Sequence, residues 1–161
     1  MSLRKARRTA LILAIATVVA AGAGGWLWWQ RDATIARAAA AKASVADAST
    51  AAQAIFSYDY RSWDASVANG SRYTTGGFTG EYVKMTAGLK PIATTEKAIV
   101  QAQVSAIGVE EARGDTVTVL VYLNQYRRNA KISGEKVDQN RVILTLRRAD
   151  GSWKVAAAAA V

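Results

Sequence analysis

Neither cysteine nor histidine occurs in this 161-residue chain. Without cysteine there is no disulfide, thiol nucleophile or thiolate metal site. Without histidine the Ser–His couple, His-ligated zinc and the usual proton shuttle near neutral pH are excluded. Chemistry would rest on carboxylates, Tyr, Lys or Ser alone, so no catalytic residue, metal ligand or cofactor is assigned. Acidic residues are also scarce, 12 against 21 basic, for a net charge of +9. Four of the basic residues, Arg4, Lys5, Arg7 and Arg8, crowd the N-terminus. The remainder of the surplus is scattered, with local groups only at Arg127, Arg128 and Lys131 and at Arg147 and Arg148. That dispersal argues against a nucleic-acid partner and fits attraction to membrane lipid or to an acidic partner surface.

One long run carries no charge. Ala10 to Trp29, ALILAIATVVAAGAGGWLWW, follows directly on the basic cluster. At about 1.5 Å per residue it extends about 30 Å, the thickness of a bilayer's hydrocarbon core. The positive-inside rule keeps residues 1–9 in the cytoplasm and carries everything after Trp29 across the inner membrane. Trp26, Trp28 and Trp29 fall at the outer membrane interface, where amphipathic indole rings are favoured. This predicts a single-pass signal-anchor. A cleaved signal peptide ending at Ala21-Gly22-Ala23 is the alternative, and both readings place the folded part outside the cytoplasm. Within the span Ala16, Ala20 and Gly24 lie four apart, and Thr17, Ala21 and Gly25 make a parallel row. Such a ridge of small residues lets a second membrane helix dock closely, although Ala and Gly are also simply common in membrane helices.

From Asp32 to about Trp63 the sequence predicts helix, capped by Asp32 and dominated by Ala. Residues 30–54 offer little to bury and are expected to form a solvated helical stalk; an Ala-rich face packed on another helix is the alternative. Ile55, Phe56, Tyr60 and Trp63 recur near helical spacing as an apolar stripe, and Asn69-Gly70 signals a turn. A shorter helix is expected over Thr79–Leu89, bounded by Gly76-Gly77 and Pro91. Past Thr94 the pattern has period two. Ala98, Val100, Ala102, Val104 and Ala106 share one face, and Val117, Val119, Val121 and Leu123 another. Arg141–Arg148 and Trp153 to about Ala158 give two further strands, the second entered through Asp150-Gly151. Glu110–Asp115 and Asn129–Glu135 read as loops. Helices followed by strands on short turns predict an α+β fold, with helices on one face of a curved four-stranded antiparallel sheet. The domains are then a basic tail (1–9), a membrane helix (10–29), a stalk (30–54) and an outer domain (55–161).

Certain residues extend this reading. Phe56-Ser57-Tyr58-Asp59-Tyr60-Arg61 with Trp63-Asp64, Gly77-Phe78 with Glu81-Tyr82, Val119 to Gln125, Arg141-Val142 and Asp150 to Val155 resemble the mammalian-cell-entry (Mce)-associated membrane proteins of actinobacteria. The likeness covers about residues 10–156, with Trp63 where Leu is more usual. It implies a cone-like outer domain of the ketosteroid-isomerase or nuclear-transport-factor-two type in the periplasm. It also implies a non-enzymatic accessory subunit that stabilises or coordinates an Mce-type lipid import complex, with the permease and Mce proteins as partners.

Two other functions stand beside that one. Phe56, Tyr60, Trp63, Phe78 and Tyr82 are the largest core candidates and could instead line a pocket for lipid or another small hydrophobe. An isomerase-type enzyme would need an Asp base facing Tyr donors. Asp59 and Asp64 lie near Tyr58, Tyr60 and Tyr73 in sequence, but Asp64 more simply pairs with Arg61. Arg127-Arg128 and Arg147-Arg148 would form a positive patch if their strands placed them together; charged strand ends at a solvated edge are the expected outcome.

Overall fold

The computed structural model describes the backbone from Leu3 to Val161, with the side chains of Trp26, Trp28, Gln30, Arg31 and residues 34–161. Two compact units divide the chain, residues 1–38 and 39–161. A long Ala-rich helix, α1, runs Leu3–Phe56. In the first unit Trp26, Trp28 and Ile35 are exposed. Among the described residues no helix is long and apolar enough to cross a membrane. The side chains of residues 10–25, 27 and 29, which make up most of the expected span, lie outside them. So do those of the docking ridge, Ala16, Thr17, Ala20, Ala21, Gly24 and Gly25, and that of Trp29.

The second unit begins at Ala39, inside the segment 30–54 read from sequence as a stalk. The cause is a stripe of small side chains on α1. Ser44, Ala48, Ala51 and Ile55 recur at helical spacing and are buried, together with Ala52. A helix presenting only alanine methyls can lie close on a sheet, and the valine-rich face supplies the apolar volume. The hydroxyl of Ser44 donates to the carbonyl of Ala41 at 2.9 Å, which satisfies the one polar side chain in the stripe.

α1 stops at Phe56 because tertiary partners replace its next turn. The Phe56 carbonyl accepts from Gln125 Nε2 at 3.2 Å, and Ser57 Oγ accepts from the Ala102 amide at 2.9 Å. Tyr58–Asp59 then forms a short strand, β1, opposite Val100 and Ile99. A 3₁₀ turn, Tyr60–Ser62, follows, its first free amide capped by the Asp59 carboxylate. The sheet therefore has five strands where four are expected. Phe56, Tyr60 and Trp63 do not share a helical face, because a strand and a turn interrupt the helix between them. Helix α2 covers Trp63–Ser71, and Asn69-Gly70 lies inside its last turn. Helix α3 runs Gly77–Glu96, longer than expected, and contains Pro91. Pro91 deprives the Ala87 carbonyl of its helical donor, but Ala87 is exposed, so water can replace it.

The rest is an antiparallel meander: β2 (Ile99–Arg113), β3 (Thr116–Arg128), β4 (Lys136–Ala149) and β5 (Ser152–Ala160), in the order β1-β2-β3-β4-β5. The alternation in β3 holds throughout, with Val117, Val119, Val121 and Leu123 all buried. In β2 it does not. Ser105 has no partner in the register, so its bulge turns Ala106 outward and packs Ile107 against the core instead. Residues 110–113, expected in a loop, continue β2, which leaves Gly114-Asp115 as the turn; Gly114 adopts φ +53°, where a side chain is strained. The last strand, expected to end at about Ala158, runs to Ala160.

Candidate functional site

An apolar cavity of about 380 Å³ lies in the second unit, between α3, α2 and the inner face of β4 and β5. On one wall α3 aligns Phe78, Tyr82, Met85 and Leu89 at helical spacing. Phe78 and Tyr82 are buried, whereas Met85 and Leu89 are 59% and 36% exposed and mark the mouth. On another wall Trp63 opens α2 and is buried against Tyr58, with ring centroids 5.1 Å apart and planes inclined at 55°. The floor is Val142 with Ala160, which stands opposite it across β4 and β5, and Ala158 two residues before on β5. Two alanines where the rest of the sheet carries Val and Leu leave the volume that forms the hole.

Of the aromatic residues expected in the core or a pocket, Phe56, Trp63, Phe78 and Tyr82 line this cavity. Tyr60 does not. It sits half-buried in the 3₁₀ turn, its amide donating to the Ala98 carbonyl at 3.1 Å. Met85 and Leu89 are legible in sequence as apolar contacts of the second helix but not as cavity lining, and Tyr58 and the alanines of β5 are not expected there at all. Only the Met85–Leu89 spacing carried any signal.

Every side chain lining the cavity is uncharged. Gln125, at one end, is spent on structure: its amide holds Phe56, and its oxygen accepts from Asn140 Nδ2 at 2.6 Å. Burial raises the Tyr58 hydroxyl above its usual range, partly opposed by the Arg127 charge, and burial alone raises Tyr82. Both phenols therefore stay protonated near neutral pH and act as neutral donors. The two carboxylates considered as bases lie outside the cavity. Asp59 is bound by Arg61 at 2.5 Å, and Asp64 by Lys90 at 2.7 Å rather than by Arg61. The hydrogen bond from Arg61 holds the Asp59 carboxyl below its usual range.

The two arginine pairs are not neighbours. β3 and β4 run antiparallel with Arg127 opposite Lys136 and Arg147 opposite Thr116, so the pairs stand at opposite ends of the sheet. Arg127 pairs with Asp138 at 3.1 Å and Arg128 with Glu135 at 3.2 Å. These are solvated strand ends, not a joint basic patch.

Two proteins of Mycobacterium tuberculosis are each 28% identical to the chain over 148 residues, covering 90% of it and 67% of their own length. They are described as uncharacterized protein MT1407 (strain CDC 1551) and uncharacterized protein Rv1362c (strain H37Rv). Among solved structures, an IcmL-like type IV secretion system protein of Legionella pneumophila aligns with TM-score 0.63 at 15% identity, over 75% of this chain and 91% of that one. CagV of Helicobacter pylori, a VirB8 homolog of a type IV secretion system, gives 0.60 at 15%, over 76% and 97%. The periplasmic domain of DotI gives 0.60 at 14%, over 71% and 90%. At such identities the likeness is one of fold: helices on a meandering antiparallel sheet. The family described as uncharacterized protein Rv1363c/MT1408-like matches residues 5–161, and the chain belongs to it.

Proposed function

We propose that the chain is a single-pass accessory subunit, anchored in the inner membrane by residues 10–29, whose outer domain acts by binding within an Mce-type lipid import complex. The observation that carries the binding role is the cavity, which is apolar and lined by no acid, base or cation. A site of that composition can hold an apolar group but has no group poised to move a proton near neutral pH. The fold supports placement outside the cytoplasm, because one similar structure is the periplasmic domain of DotI and two others are type IV secretion system proteins. The link to Mce permease and Mce proteins is supported by the motifs at Phe56–Arg61, Gly77–Tyr82 and Asp150–Val155.

In this reading the small-residue ridge docks the membrane helix on its partner. Replacing Ala20 and Gly24 with Leu should reduce co-recovery of partners from native membranes while the chain still inserts, as judged by carbonate extraction. Unchanged recovery would remove the ridge from the account. A second reading, a tethered domain that holds lipid or another small hydrophobe, is favoured by the cavity volume, which falls within the roughly 300–1,000 Å³ of ligand pockets.

A further inference from the structure

The outer edge of β5 is closed step by step until it reaches the cavity. The Trp153 amide donates to the Asp47 carboxylate at 2.8 Å. The Val155 amide donates to the Tyr73 carbonyl at 2.8 Å, and the Val155 carbonyl accepts from the Thr75 amide at 2.9 Å, a parallel bridge made by residues 73–75. Gly76, at φ +62°, then turns that segment away into α3.

Beyond this point no described residue pairs with the edge. The Val161 amide reaches the Arg141 carbonyl at 3.1 Å, and Ala159 and Ala157 stand opposite Ile143 and Thr145. Alternation in an antiparallel ladder then turns the backbone N–H and C=O groups of Ala158 and Ala160 away from β4. No hydrogen bond among the described residues satisfies them. These two residues also line the cavity, beside the exposed Met85 and Leu89. Residues 156–160 carry neither charge nor proline, the usual protections of an open edge.

We infer that this seam binds an extended, uncharged peptide segment of a protein partner. The peptide backbone pairs with Ala158 and Ala160, continuing the strand addition that residues 73–75 begin at Val155. One apolar side chain enters the cavity between Phe78, Tyr82 and Val142. An acyl chain would fill the hole and leave those edge groups to water, whereas a strand with an apolar anchor engages both the edge and the cavity. Charge agrees, since an ionised anchor would meet no counter-charge on the cavity lining. The binding mode is independent of which membrane complex the anchor serves.

The test uses the full-length chain in lipid nanodiscs. Its probes are fluorescein-labelled, amide-capped peptides alternating Thr with one anchor type, in a panel of Ala, Val, Leu, Ile and Phe. At least one anchor should bind, and N-methylation of alternate backbone nitrogens should weaken it about tenfold or more. Amide hydrogen exchange should slow at Ala158 and Ala160. Ala158→Leu, which fills the hole, and Met85→Asp, at an exposed position that leaves the core intact, should each abolish binding. Three results would overturn the inference: no panel member binding at about 1 mM, equal binding by the N-methylated peptide, or displacement by palmitate without protection of Ala158 and Ala160. The last would make the cavity an acyl-chain site. None of them touches co-recovery through the membrane helix, so failure here and failure of the subunit role remain separable.

Discussion

Gly70 shows how one residue can matter for space rather than for a turn. Its φ is not positive; instead, a Cβ built there would fall inside the Tyr82 hydroxyl. Gly70→Ala should therefore cost about 1–3 kcal/mol in chemical denaturation, the usual penalty of overpacking. The penalty should shrink when Tyr82 is already Phe, because the nearest atom is gone. In sequence this glycine was legible only as the second half of an Asn-Gly turn. The close approach depends on α3 crossing α2, which spacing along the chain cannot reveal. Asp59 makes the same point for charge. Its folded pKa is depressed, first by the hydrogen bond from Arg61, so its stabilisation is full above the unfolded carboxylate range and fades as pH falls through the depressed folded value. Asp59→Asn should flatten the acid limb of the stability profile in that window, lowering stability at neutral pH, where the pair is formed, and leaving it unchanged at pH below the folded value. The amplitude is small, because the pair is solvated.

At the scale of the element, the reading of α1 turned on what a helix without large side chains can bury. Alanine content predicts helix correctly but says nothing of packing, since the partner volume belongs to strands some seventy residues later in the chain. The buried row Ser44, Ala48, Ala51 becomes visible only with those valines in place. Ala51→Leu should destabilise the domain by about 1–3 kcal/mol in thermal melts, through overpacking. Ala38→Leu, at an exposed position on the same helix, should be neutral within about 0.5 kcal/mol. The strands divide in a similar way. β3 was legible because alternation with β-branched residues runs unbroken, while β2 was misread past Val104 because two unpaired residues, Ser105 and Glu110, each invert its faces. The short β1 left no periodic trace at all, since two residues cannot show one. The tail of β5 was hard to assign because alanine is a poor strand former, and the same alanines create the cavity.

For the whole molecule, the order of helices and strands was sufficient to name an α+β architecture, and the likeness in fold agrees with it. Composition alone removed thiol and imidazole chemistry. The absence of cysteine also makes topology simple to read, because any introduced thiol is the only one. Under the proposed orientation, Ser133→Cys, in an exposed loop of the outer domain, should react with a membrane-impermeant maleimide in intact cells. Ser2→Cys should react only after lysis. The most direct measurement is affinity purification of the full-length chain from native membranes in mild detergent, with mass spectrometry of what accompanies it. The account predicts Mce proteins together with their permease and ATPase; recovery of the chain alone, or only with copies of itself, would contradict it.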